Sequence, residues 1–148
     1  MKIKTAALFA AIIGWSGFIF SNSLKSRAES SHQSSGLEEL LEKLVRWLGF
    51  DGSGLNFALI VRKGAHIFEF FLLCLLLYCF FDALIKNKKT VNLLSATVTF
   101  AEAAADECLQ IISGRDASVK DVFVDCIGIV FAYLTVKIIL KIRTAKEL

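Results

Sequence analysis

The sequence predicts an all-α membrane protein with four transmembrane helices and a short amphipathic interfacial helix between the first two. Three observations predict it. The composition is 55 % hydrophobic with a mean hydropathy of +0.61, a bilayer composition in one domain of 148 residues. Thirteen phenylalanines stand against no proline, so no proline breaks a long helix. Four apolar stretches, about 5–23, 57–81, 91–112 and 119–140, have lengths near the roughly 20 residues a bilayer crossing needs.

Lys2 and Lys4 precede the uncharged run Thr5–Phe20, which Ser21-Asn22-Ser23 extends into the first span. A cleaved signal peptide is the rival reading, with a basic start, an apolar core and small residues at Ser21 and Ser23. Against it, Trp15, Phe18, Ile19 and Phe20 run up to the polar boundary, as in a retained helix. Residues 24–56 form an external loop. The stretch Ser21–Gly36, which overlaps its start, is serine-rich and reads as solvated, and Ser35-Gly36-Leu37-Glu38 has the form of a capping box.

Leu37, Leu40, Leu41, Leu44, Val45 and Leu48 then repeat at helical spacing, while Glu38, Glu39, Glu42, Lys43 and Arg46 face away. Twelve residues with five charges do not span a bilayer. They read as a helix lying flat at the interface with Trp47 at headgroup depth, or as an outer helix packed on the bundle. Gly49, Gly52 and Gly54 end it. The four cysteines, Cys74, Cys79, Cys108 and Cys126, lie in apolar segments without CxxC spacing and read as buried free thiols; a Cys108–Cys126 bridge is the alternative.

The basic residues orient the bundle. Four spans put both termini on one side, with Lys2, Lys4, Lys86, Lys88, Lys89, Lys137, Lys141, Arg143 and Lys146 against only Asp82 and Glu147. That side is predicted to be cytoplasmic. The other side holds eight basic and twelve acidic residues. This asymmetry, not affinity for nucleic acid, accounts for the net charge of +3.

The same topology sends three polar clusters to the outer half of the membrane. Arg62, His66 and Glu69 share one face of the second span, with Lys63 beside them. His66 lies about 6 Å and Glu69 about 10 Å deeper than Arg62. Glu102, Asp106 and Gln110 share a face of the third, with Glu107 to its side. Asp121, Asp125 and Gly128 repeat the spacing on the fourth, and Ala132 continues a small stripe where a close helix contact is expected. Turned inward, Arg62, Lys63 and Arg115 can pair with the carboxylates, which makes a polar pocket above a hydrophobic floor.

His66 with Glu69 a turn away and Asp106 and Glu107 opposite suggests a metal, but the spacing matches no strong metal motif, and no metal or cofactor is predicted. No nucleophile elbow or Walker loop is present. The remaining readings are a binding pocket, an enzyme with His66 as general base oriented by Glu69 or Asp106, and a scaffold in which these groups only hold helices together.

These residues resemble the VanZ-like family of small membrane proteins. Lys63, His66, Glu69 and Phe70 match its K-x-x-H-x-x-E-[YF] pattern, and Asp106, Glu107, Gln110, Gly114, Arg115, Asp121 and Gly128 match the pattern of its last hairpin. Phe20-Ser21-Asn22-Ser23 also looks familial. Ser113 departs from a usual proline and is expected to loosen the turn; Asp125 departs from a usual asparagine and adds a charge. The resemblance implies an integral protein of a bacterial cytoplasmic membrane, in a family named for a teicoplanin-resistance protein. The expected partners are a membrane lipid or lipid-linked envelope molecule and other membrane proteins. The ligand-binding candidates are Arg62, Lys63, His66, Glu69, Asp106, Glu107, Gln110, Arg115, Asp121 and Asp125, with His66 and Glu69 the candidates for any catalysis.

Overall fold

A computed structural model describes residues 2–114 and 119–146. Five helices follow one another: α1 (Lys2–Ser23), α2 (Arg27–Trp47), α3 (Phe57–Leu84), α4 (Lys88–Ile112) and α5 (Val119–Lys146). Local chemistry sets the boundaries. Asn56 Oδ1 accepts from Leu59 N at 3.0 Å to start α3, and Asn87 Oδ1 accepts from Lys89 N at 3.0 Å to start α4. Gly49 and Gly114 follow the ends of α2 and α4 with φ of 81° and 72°, the left-handed conformation that closes a helix.

The segment after α1 differs from the sequence expectation. Instead of a solvated loop to Gly36, α2 begins at Arg27 and runs 21 residues. The capping box is Ser26-Arg27-Ala28-Glu29, an earlier S-x-x-E, and not Ser35–Glu38. Ser26 N donates to Glu29 Oε2 at 2.9 Å and Ser26 Oγ to the same oxygen at 2.7 Å, which holds the Glu29 carboxyl below its ordinary pKa. The serines that looked like loop are absorbed by helical back-bonds: Ser35 Oγ donates to His32 O at 2.9 Å, and Ser34 Oγ donates to Ser31 O at 3.2 Å.

α3 is the central helix and packs against each of the other four. The core combines Ile12 and Ile19 of α1, Phe70, Leu73 and Leu77 of α3 and Ala103 of α4, with Trp15 and Phe20 packed against it. α3 and α5 approach closely at Gly128, where a Cβ would stand 2.4 Å from the Ile67 carbonyl oxygen. The small residue thus serves the close contact its spacing suggested, and Ala132 a turn on is buried.

Among the described residues, three stretches are long and apolar enough to cross a membrane: Ile3–Ser23, Phe57–Leu84 and Lys120–Ile142. α4 is long enough, but three charged residues fall in every 18-residue window of it. Of the cysteines, all free, only Cys74 is buried; Cys79 and Cys108 face outward, contrary to the expectation of buried thiols, because each lies on the outer side of its helix.

Candidate functional site: a polar end shared by four helices

The inward stripe of α4 runs Val91, Ser95, Thr99, Ala103, then Asp106, Glu107 and Gln110. Ser95 Oγ donates to Val91 O at 2.7 Å and Thr99 Oγ1 to Ser95 O at 2.8 Å, so these hydroxyls are satisfied within the helix. A buried carboxylate has no such local carbonyl to use; it needs donors. Gln110 Nε2 donates to Asp106 Oδ2 at 3.0 Å and to Glu107 Oε1 at 3.4 Å.

Further donors come from α1. Ser23 Oγ donates to Asp106 Oδ1 at 2.5 Å, and Asn22 Nδ2 donates to Glu69 Oε1 at 3.0 Å. About two turns earlier on α1, Trp15 Nε1 donates to the Glu69 backbone carbonyl at 3.0 Å. Ser113 Oγ reaches Ser23 O at 3.0 Å and Gln110 O at 2.9 Å. The serine thus ties the end of α4 to the end of α1; the turn it was expected to loosen runs on into residues outside those described.

His66 stands at the centre. Its Nδ1 is 3.7 Å from Asp125 Oδ1 and 3.9 Å from both Glu69 Oε2 and Asp106 Oδ2, so acids of α3, α4 and α5 face one imidazole. Toward the rim, Lys63 Nζ pairs with Asp121 Oδ1 at 3.6 Å. Lys25 Nζ donates to Asn22 Oδ1 and to Gln33 Oε1, each at 2.8 Å. Arg62 is half-buried and makes no ion pair among the described residues.

Two clefts flank the histidine. A cavity of about 280 Å³ opens between α1, α2 and α3, lined by Phe18, Leu37 and Val61 on its apolar side and Lys25, Arg62, His66 and Glu69 on its polar side. A narrower cleft between α3, α4 and α5 is lined by Arg62, Lys63, His66, Glu107, Gln110, Asp121 and Asp125. Arg62 and His66 line both.

Charge is sorted by depth. Glu69 is 8 % exposed, Asp106 0 %, Glu107 6 % and Asp125 1 %, while the cations lie nearer the surface. Asp125 Oδ2 is buried and accepts no hydrogen bond among the described residues. Also among the described residues, no group of three or more His, Cys, Asp and Glu side chains is placed to hold a metal ion.

Of the residues singled out from sequence, Arg62, Lys63, His66, Glu69, Asp106, Glu107, Gln110, Asp121 and Asp125 therefore meet at one end of the bundle. Glu102 is half-buried, a helical turn below Asp106. Arg115 lies outside the described residues. Sequence reasoning placed Asn22 and Ser23 at the end of a span, and Lys25 and Gln33 in a loop, but assigned none of them to the site. The available signal was the polar tail Ser21-Asn22-Ser23 on an otherwise apolar helix.

The family model for VanZ/LLP1 proteins matches residues 8–140, nearly the whole chain. This chain belongs to the VanZ-like family. The match runs from α1 through most of α5, so the family domain includes both the α1 donors and the α5 acids. No curated protein and no solved structure matches the chain.

Proposed function

We propose that this VanZ-like protein sits in a bacterial cytoplasmic membrane as a four-span bundle with both termini cytoplasmic, and that its outward polar end recognises an amphiphilic envelope ligand carrying an anionic group. The exposed surface of α4 supports a fourth span. Beyond Lys89, the exposed residues of α4 are Leu93, Thr97, Phe100, Ala101, Ala105, Cys108, Ile111 and Ile112, all without charge, while its acids turn inward. The segment fails on composition for the same reason that it suits a site.

α2 supports an interfacial placement. Leu40, Leu44, Trp47 and Leu48 are exposed, so part of its apolar stripe points away from the bundle, while Leu41 and Val45 are half-buried and Leu37 lines the cavity toward α1 and α3.

The observation that carries the ligand reading is the 280 Å³ cavity, where Arg62 and Lys25 face Phe18, Leu37 and Val61 across one opening. An anionic headgroup with an apolar tail satisfies both sides. A phospholipid, a lipid-linked cell-wall precursor and a lipoglycopeptide antibiotic share that chemistry. Native mass spectrometry of the protein extracted in mild detergent tests it. The wild type should carry a bound anionic amphiphile, and Arg62→Gln should lower its occupancy about tenfold, the effect of losing one charge-assisted contact. A bare wild-type protein would sink the reading.

A second reading rests on the three carboxylates around His66 Nδ1, an arrangement suited to holding an imidazole for proton transfer. An enzyme acting on the same lipid-linked molecule, with His66 as base, would release a product of altered mass, and His66→Gln would abolish that product while binding persists.

A further inference from the structure

The half of the bundle opposite the polar site holds a second cavity, a slot of about 220 Å³ between α3, α4 and α5. Cys74 of α3 and Ala132 of α5 line it and are buried, whereas Val130 and Tyr133 at its edge are exposed, so the slot opens outward along α5. Among the described residues no acid lines it, and its walls are mostly apolar. An apolar cavity of about 150 Å³ takes one benzene ring, so 220 Å³ has room for a stretch of one hydrocarbon chain. Lysines stand at the same end of both walls. On α4, Lys89, Asn92 and Ala96 share a face at i, i+3 and i+7. On α5, Val130, Tyr133, Lys137 and Lys141 share one at i, i+3, i+7 and i+11. Lys137 Nζ lies 5.2 Å from the centroid of the Tyr133 ring, which keeps the ammonium at the rim of the slot. Of Lys88, Lys89, Lys137 and Lys141, only Lys88 has a carboxylate partner among the described residues, Asp82.

We infer that this slot is a lipid site separate from the outward cavity, taking one acyl chain of an anionic phospholipid whose phosphate rests on Lys89 and Lys137. The chain fills an apolar gap that the small side chains of Ala96 and Ala132 leave between the helices. The headgroup meets ammonium groups at the membrane surface, where long lysine side chains reach out of the hydrocarbon. A zwitterionic headgroup brings a cation of its own toward the same lysines, so a net negative charge suits the rim better. The topology proposed above makes this a lipid of the cytoplasmic leaflet; the chemistry of the slot holds in either orientation.

The test places the full-length protein in phosphatidylcholine vesicles carrying a small share of phosphatidylglycerol or phosphatidylcholine with a diazirine halfway along one acyl chain. After illumination, peptide mass spectrometry maps the label. Phosphatidylglycerol should label Ala96 and Tyr133 at least about fivefold more than phosphatidylcholine does, the effect of one lysine on an anionic headgroup. Leu93 and Phe131 are exposed beside the slot without lining it, and they set the background of ordinary lipid contact. The double variant Lys89→Gln, Lys137→Gln changes only exposed side chains and should bring the ratio near one. Ala96→Leu fills the slot and should remove the label at Tyr133 while Phe131 keeps its background. Equal labelling by the two lipids, label in the slot no higher than at Leu93 and Phe131, or an undiminished preference in the lysine variant overturns the inference. Because the label reports position, such a result leaves the outward cavity's reading intact, and a bare outward cavity leaves this one.

Discussion

Ser23 is a small residue at the end of an apolar helix, yet it donates to the most deeply buried carboxylate in the structure. Its hydroxyl bonds Asp106 Oδ1 at 2.5 Å, and its carbonyl receives Ser113. Ser23→Ala leaves a fully buried carboxylate one donor short, at a cost of about 1–3 kcal/mol. A lower melting temperature in detergent and reduced membrane abundance should follow, with Ser23→Thr close to wild type; an unchanged melting temperature in the alanine variant would remove Ser23 from the network. The acids and His66 were legible in the sequence because charges inside apolar runs are conspicuous. Their donors were not, because Asn22 and Ser23 look the same whether they end a helix, precede a cleavage site or begin a loop. Only the packing of α1 on α3 and α4 assigns them.

Among the elements, the crossing of α3 and α5 fixes how far His66 stands from Asp125. Gly128 is three residues from Asp125, and Ile67, whose carbonyl it abuts, adjoins His66. Gly128→Ala places a methyl carbon within 2.4 Å of that backbone oxygen, where no flexible side chain can yield, so the helices must separate. Overpacking of this kind costs about 1–3 kcal/mol. The variant should melt lower than Gly14→Ala, which has open space around its Cβ, and should bind amphiphile more weakly than its residual folding explains. α1 behaves as an element of the core. Ile12 and Ile19 lie in it, and Asn22 and Ser23 reach the site, so removal after Ser23 would strip donors from Glu69 and Asp106. Intact-mass measurement should therefore show α1 present in the mature protein, and a mass matching loss of residues 1–23 would refute its place in the core. Helix α2 was half legible. Its apolar stripe was read correctly from Leu37 onward, but two S-x-x-E segments compete for its start, and pattern alone does not choose between them.

At the scale of the whole molecule, the polar network joins the last turn of α1, the first half of α3, the first turns of α5 and the last turns of α4, toward one end of the bundle. Lys2, Lys4, Lys88, Lys89, Lys137 and Lys141 belong to the opposite helix ends. Reporters fused after Lys89 and at the C-terminus should accordingly read cytoplasmic and one near Ser35 external; an external signal after Lys89 would turn the site to the cytoplasm. That end-to-end polarity was the most legible property of the sequence, because it depends only on where charges fall along the chain. The number of apolar spans was less so, since α4 hides its acids inside and composition does not record direction. The network also has an order in time. Asn22 and Ser23 are synthesised before Glu69 and Asp106, and Lys63 and His66 before Asp121 and Asp125. Glu107 receives Gln110, three residues later. An acid entering the bilayer alone costs about 2.5–3.5 kcal/mol at a helix centre. In a chain made from its N-terminus, nearly every such acid arrives where a donor or cation is already waiting. The same contacts strung in reverse order would carry the acids into the membrane first, and bare.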